Sequence, residues 1–198
     1  MRYFGGLDLS MGADPTALSI VELVDTRRGR LPILHLRHLQ LFEDKNLGTL
    51  TDALSETLSR PLPEGQLDLT VDVTGVGCAM ADLLAQAGLK FRCVRLHGGH
   101  NERHEDRSPA HIYSVPKRDV VGYLEATFRD KRIKIASGLE HAEDLEAALN
   151  AYKVLVGFSG EYRYKPPKNG FLVESTALAC WAAHRFGIPQ EPVAEAAS

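Results

Sequence analysis

Apolar positions open the chain in short blocks rather than as a helical stripe. Residues 3–9, 16–24 and 31–41 are such blocks, and the third, "LPILHLRHLQL", partly alternates apolar with polar positions; each predicts a strand. The pieces between them are short and carry Gly, Asp, Pro or Arg, which predicts hairpin-like connections. Over residues 47–59 the period changes: Leu47, Leu50, Leu54 and Leu58 fall on one helical face, and Pro61 and Pro63 stop the helix. "LDLTVDV" predicts a strand over about 67–73, "CAMADLLAQAG" a helix ending at Gly88, and "KFRCVRL" another strand. Residues 97–114 are polar and rich in Gly and His, so a surface loop is expected there. Then follow a helix over 116–130 opened by Pro116, a short strand or extended piece at "RIKIA", and a helix over 139–151. An exposed extended segment over 157–168, a last helix over about 171–186 and a frayed tail, "QEPVAEAAS", complete the chain. The order β-β-β-α-β-α-β, followed by helices, predicts an α/β fold. Its sheet is mixed and of about five strands, the first three antiparallel, with helices on both faces.

At 198 residues with 44% hydrophobic and 25% charged, the chain is expected to fold as one globular domain over 1–188, with 189–198 as a flexible tail. A net charge of −3 argues against a uniformly basic nucleic-acid binder, but leaves room for a local basic patch. The three cysteines, Cys78, Cys93 and Cys180, are widely spaced and form no CxxC pair, which fits reduced thiols. The N-terminus lacks the pattern of a signal peptide, and no run approaches the ~18 apolar residues of a membrane span. A cytoplasmic protein with no membrane partner is therefore expected.

Two of the apolar blocks end on an acid. Asp8 closes the first strand and Asp72 the fourth, in "TVDVTGVG". A buried carboxylate without a partner is costly, so it is normally paired or bound to a cation. The two acids either cap turns and pair with arginines, or sit side by side on neighbouring strands. In the second case like charges repel unless a cation holds them. Hard divalent cations such as Mg²⁺ choose carboxylate oxygens, and paired metals are a common device for phosphodiester cleavage. Asp14, just before Pro15, reads as a turn residue.

Four segments together resemble the nuclease domain of phage terminase large subunits: "GLDLSMGADPTALSIVEL", "LTVDVTGVGCAMADLL", "YSVPKRDVVGYLEATFRDKRIKIASGLEHAEDLEAALNAY" and "ALACWAAHRF". The resemblance spans about residues 3–186. It implies a ribonuclease H-like fold and a Mg²⁺- or Mn²⁺-dependent DNA endonuclease, cytoplasmic in a host cell. Asp8 matches the first catalytic aspartate of such nucleases and Asp72 the second, and Lys117 resembles their lysine near the active site. Two departures stand out. The chain carries no G-x-x-x-x-G-K-[ST] phosphate loop, so a packaging ATPase or portal component would be a separate partner. Asn169, Gly170 and Phe171 stand where the family has His-Asp-Asp before its last helix. Glu174, one helical turn further on, either replaces the missing metal ligand, as in resolvase-like nucleases, or is a solvated residue of an amphipathic helix. The first option keeps an endonuclease, on duplex or on branched DNA; the second leaves a DNA-binding or assembly module with an impaired site.

Cations interleaved with aromatics could contact a DNA backbone: Lys117 and Arg118 at one helix start, and Arg163, Lys165 and Lys168 beside Tyr162 and Tyr164. Lys117, Arg118 and Lys165 are the first choices. The histidines His97, His100, His104 and His111 match no zinc spacing, and a solvated loop or a lone general base is expected of them. Trp181 reads as core.

Overall fold

The computed structural model describes residues 2–10, 14–25, 31–44, 46–60, 65–75, 77–107, 110–157 and 161–188. The tail expected at 189–198 lies outside the described residues.

The first three apolar blocks form an antiparallel meander of β1 (Arg2–Asp8), β2 (Thr16–Asp25) and β3 (Ile33–Phe42). Helix α1 (Leu47–Ser59) begins at Asn46, whose side chain accepts from the backbone N–H groups of Gly48 and Thr49, satisfying donors that a helix start leaves free. The chain returns as β4 (Gln66–Asp72), parallel to β1. Helix α2 (Gly77–Gln86) leads to β5 (Arg92–His97), parallel to β4. These five strands stand in the order β5-β4-β1-β2-β3, which is the mixed sheet the sequence predicts.

Among the described residues the sheet is wider than that expectation, eight strands in place of about five. The extra strands sit at its two edges. Much of the stretch expected as a loop over 97–114 is β6 (Arg103–Arg107) and β7 (Ala110–Pro116), a hairpin that adds to β5. The sequence "RHEDR" of β6 has no apolar alternation, because an edge strand needs backbone pairing on one side only and charge there discourages further pairing. At the other edge, after α3 (Lys117–Arg129), the short β8 (Ile133–Ile135) pairs in parallel with β3. Helix α4 (Ala142–Ala151) precedes a separate two-stranded hairpin of β9 (Lys153–Val156), which is not expected from the sequence, and β10 (Tyr162–Lys165), which falls in the segment expected to be extended. Helix α5 (Gly170–Gly187) ends the described chain.

Two apolar cores flank the sheet. Tyr3, Leu7, Leu50, Leu54, Val71 and Leu84 fill the layer beneath α1 and α2. Phe4, Val21, Leu36, Val120, Leu172 and Trp181 fill the layer beneath α3, α4 and α5. Helix α5 is apolar nearly all round, as a helix enclosed by other elements must be. It lies directly on β1 at Gly6, where a Cβ would stand 2.2 Å from the Ser175 carbonyl oxygen and 2.5 Å from the Ala179 nitrogen. Only glycine permits that approach. Beside it, Ser19 Oγ lies 2.7 Å from Ser175 Oγ and 3.0 Å from Thr176 Oγ1, so these buried hydroxyls satisfy one another and fix the helix on the sheet.

Candidate active site

Strands β1, β4, β5 and β7 run parallel, so their carboxyl ends lie along one rim of the sheet. In open α/β sheets this rim is where ligands bind. Asp8 ends β1, Asp72 ends β4, and the two are direct register partners. The alternation of a strand places Asp8 on the same face as Phe4 and Gly6, the face that α5 covers. Asp72 is held from behind by Thr74: the Thr74 backbone N–H donates to Oδ1 at 2.8 Å, and the Thr74 hydroxyl donates to the same oxygen. Thr74 Oγ1 in turn accepts from Leu96 N at 2.8 Å, tying the turn after β4 to β5. Thr74 and Gly75 form a turn after the strand, with Gly75 at φ +68°, a left-handed conformation that suits glycine.

Glu174 comes to the same place from α5. Lys117 Nζ donates to its Oε1 at 2.7 Å, and the Tyr152 hydroxyl donates to that same oxygen at 2.9 Å. Glu174 is thus neither a solvated helix residue nor an isolated acid. Its charge acts on both aspartates. Burial pushes the Asp8 carboxyl up from its ordinary 3.8 to about 8; the charges of Glu174 and Asp72 add to the rise, and Lys117 opposes it. Burial also raises the Asp72 carboxyl, while the hydrogen bonds from Thr74 favour its charged form.

Lys117 opens α3, immediately after Pro116, and so stands at the carboxyl end of β7 on the acidic rim. Its ammonium also lies 5.4 Å from the centre of the Tyr164 ring, on the β9–β10 hairpin. Arg118 is tied elsewhere: its guanidinium is 2.6 Å from His100 Nδ1, donates to the His100 carbonyl at 3.2 Å, and lies 6.0 Å from the Tyr162 ring centre. Lys165 is exposed on β10 opposite Lys153. The structure therefore gathers Asp8, Asp72, Glu174 and Lys117 at the rim, with Arg118 and Lys165 flanking them on and beside the hairpin. His97, at the end of β5, accepts at Nδ1 from the Gly99 N–H at 2.9 Å. The side chains of His104 and His111 lie outside the described residues.

The Asn-Gly-Phe stretch has a structural account. Asn169 takes a left-handed conformation at φ 65°, which asparagine tolerates better than most residues, and its side chain donates to Asp144 Oδ1 at 3.2 Å. A Cβ at Gly170 would sit 2.5 Å from the Pro166 side chain, so an acid there would require the turn to shift. Phe171 packs partly into the core beneath α5. The segment is built as a tight entry to α5, and the acid appears one turn later.

A cavity of about 550 Å³ opens onto the site, lined by Asp8, Ser10, Asp14, Pro166, Lys168 and Glu174 among others. Asp14, read from sequence as a turn residue, faces the same space and adds to the rise in Asp8. Tyr152 was also not legible as a site residue: a lone tyrosine after a helix carries no spacing signal.

The donor set consists of carboxylate oxygens, with an elevated aspartate that a positive charge would relieve. That chemistry fits a hard divalent cation of the Mg²⁺ or Mn²⁺ type. Among the described residues no three His, Cys, Asp or Glu side chains already stand close enough to enclose a metal ion. The separation is physically reasonable, because uncompensated carboxylates repel and Glu174 is drawn to Lys117 and Tyr152 instead.

Neither a protein-family model nor a curated protein sequence matches the chain. Solved structures do. The large terminase nuclease from thermophilic phage G20c superposes with a TM-score of 0.61 at 16% identity, covering 90% of this chain and 80% of that one. The human cytomegalovirus terminase nuclease domain gives 0.59 at 14% identity, covering 93% and 86%. The large terminase nuclease domain from bacteriophage SPP1, with bound Mn, gives 0.53 at 14% identity, covering 90% and 85%. The chain therefore shares the mixed α/β fold of these terminase nuclease domains. Among the described residues, no helix is long and apolar enough to cross a membrane.

Proposed function

We propose that this chain is a divalent-metal-dependent DNA endonuclease of the terminase-nuclease type. Asp8 and Asp72 would hold the metal, and Glu174 would supply the third carboxylate. The observation that carries this reading is the register pairing of Asp8 with Asp72 on a rim where burial and neighbouring acids raise Asp8 to about 8. Such a perturbed pair in a cleft marks a functional site better than a structural one. Support also comes from the fold shared with nuclease domains, one of them carrying Mn.

Mg²⁺ or Mn²⁺ bound there would activate a water and stabilise the leaving oxygen of a phosphodiester. The chain's own residues do the rest. Asp8, raised to about 8, must shed its proton to bind, and Thr74 keeps Asp72 Oδ1 in a fixed direction. Lys117 balances Glu174 and stands ready to meet a phosphate oxygen on the substrate strand. Lys168 on the cavity wall, with Lys165 and Arg118 around the hairpin, adds positive charge along the path of a DNA backbone. A packaging ATPase or portal component would act as a separate partner, in the cytoplasm of a host cell.

One observation favours a second reading. Asn169, Gly170 and Phe171 replace the family's acidic pair, and Glu174 is engaged by two donors. If Glu174 never reaches a cation, the chain is a DNA-binding or assembly module with a silent site. Cleavage of duplex, supercoiled and branched DNA with Mn²⁺, beside gel-shift binding of the same substrates, separates the readings. The endonuclease reading expects cutting that chelation abolishes; preference for the branched form would place the chain with resolvase-like nucleases. Binding of DNA without cutting of any form overturns the endonuclease reading.

A further inference from the structure

We propose that Tyr152 is a positioning residue for Glu174: it holds the carboxylate by one oxygen and so leaves the other to the metal. The inference rests on the endonuclease reading, in which Glu174 is a ligand, and names a part of that site which no motif signals.

Tyr152 follows α4 directly, at its C-terminal cap, 22 residues before Glu174. Its ring packs against the core beneath α5 and lines the cleft between α3, α4 and β9 with Leu149, Val154 and Val173. The phenol is therefore anchored by packing, not by the hydrogen bond alone. From that anchor the hydroxyl donates to Glu174 Oε1 at 2.9 Å. Lys117 donates to the same oxygen at 2.7 Å from the start of α3. The two donors come from different elements and converge on one atom. A carboxylate gripped this way loses most of its freedom to turn about its last torsion. Among the described residues Oε2 makes no hydrogen bond, so its lone pairs are the ones left to offer.

The two donors are not equivalent. Lys117 has a long unbranched side chain and carries charge, and its ammonium contacts the Tyr164 ring as well as Glu174. A DNA phosphate would compete for it. Tyr152 has a rigid ring packed against the core, so its hydroxyl is aimed at Glu174 Oε1 by that packing. It is the group that keeps Glu174 aimed when Lys117 turns to the substrate. Outer partners of metal ligands act in this way, and their loss typically costs 10–100-fold in metal affinity.

The test measures the Mn²⁺ dissociation constant by direct calorimetric titration of the full chain. The proteins are wild type, Tyr152→Phe, Glu174→Gln and the double variant, with thermal melts as a check on folding. Tyr152→Phe keeps the ring and removes only the hydroxyl. The expected result is a rise of about 10-fold in the constant for Tyr152→Phe, a larger rise for Glu174→Gln, and no further rise in the double variant. Two results overturn the inference while leaving Glu174 a ligand: wild-type affinity in Tyr152→Phe, or effects of the two substitutions that add in full. If Glu174→Gln itself binds Mn²⁺ like wild type, the ligand assignment fails, and the inference fails with it.

Discussion

The strand-borne and helix-borne parts of the acidic site are built on different principles. Asp8 and Asp72 face each other because β1 and β4 pair in register, with seven residue pairs between Arg2–Gln66 and Asp8–Asp72. A slip of one residue would turn both apolar sets to the wrong faces, so the core fixes the pair. Glu174 owes its backbone position to α5 but its carboxylate position to two side-chain hydrogen bonds, from Lys117 and Tyr152. Such bonds are worth about 1.5–3 kcal/mol when one partner is charged, and other ligands compete for them. The backbone places the pair, whereas the third acid depends on side-chain partners for its aim.

Substitutions can break that comparison on either side. The largest effect is expected at the strand-borne pair. Asp72→Asn keeps the size and the Thr74 contacts but removes the charge, so cleavage with Mn²⁺ should fall by more than about 100-fold, beyond what outer groups cost. A plasmid-nicking rate measures it, and wild-type cleavage in the variant would end the claim for this pair. Next comes the floor on which the helix-borne acid rests. Gly6→Ala forces a Cβ into the α5 backbone and should cost about 3 kcal/mol of stability in denaturant unfolding. A neutral result would mean that α5 does not lie on β1 as described.

A pH titration sharpens the comparison further. The Asp8 carboxyl loses its proton near 3.8 when unfolded and near 8 when folded. Between those values the native chain holds a proton that the unfolded chain has lost, so stability should fall as pH rises through this window. Melting in EDTA from pH 5 to pH 9 should show the decline, and Asp8→Asn should flatten it. Added Mn²⁺ at pH 9 should recover part of the loss. The smallest effect is expected at the hairpin. Lys165→Ala should weaken DNA binding modestly and reduce the slope of log affinity against log salt by about 1. An unchanged slope would remove β10 from the DNA path.

The legibility of the sequence follows the same division. Asp8 and Asp72 could be found because each ends an apolar strand, where an acid is out of place, and the order of strands could be read from blocks and turns. The central five strands follow that reading. The edges do not: β6, "RHEDR", shows no apolar alternation, and it pairs with β7 at the edge of the sheet. Glu174 could be named but not placed, since spacing on a helix says nothing of the partners its side chain finds. Asp14 reads as a turn residue and also faces the cavity, a neighbour that no local pattern announces. Tyr152 left no trace in the sequence pattern. Its role depends on α4 ending beside α5, a long-range contact that no local period encodes.

The most direct measurement is cleavage of supercoiled plasmid by the purified chain with Mn²⁺, run beside Asp8→Asn and Glu174→Gln, with Mn²⁺ binding recorded on the same samples. The account predicts that wild type nicks the plasmid, that EDTA stops it, and that both variants lose cleavage and bind Mn²⁺ more weakly. A folded wild-type chain that neither cuts nor binds Mn²⁺ would contradict it.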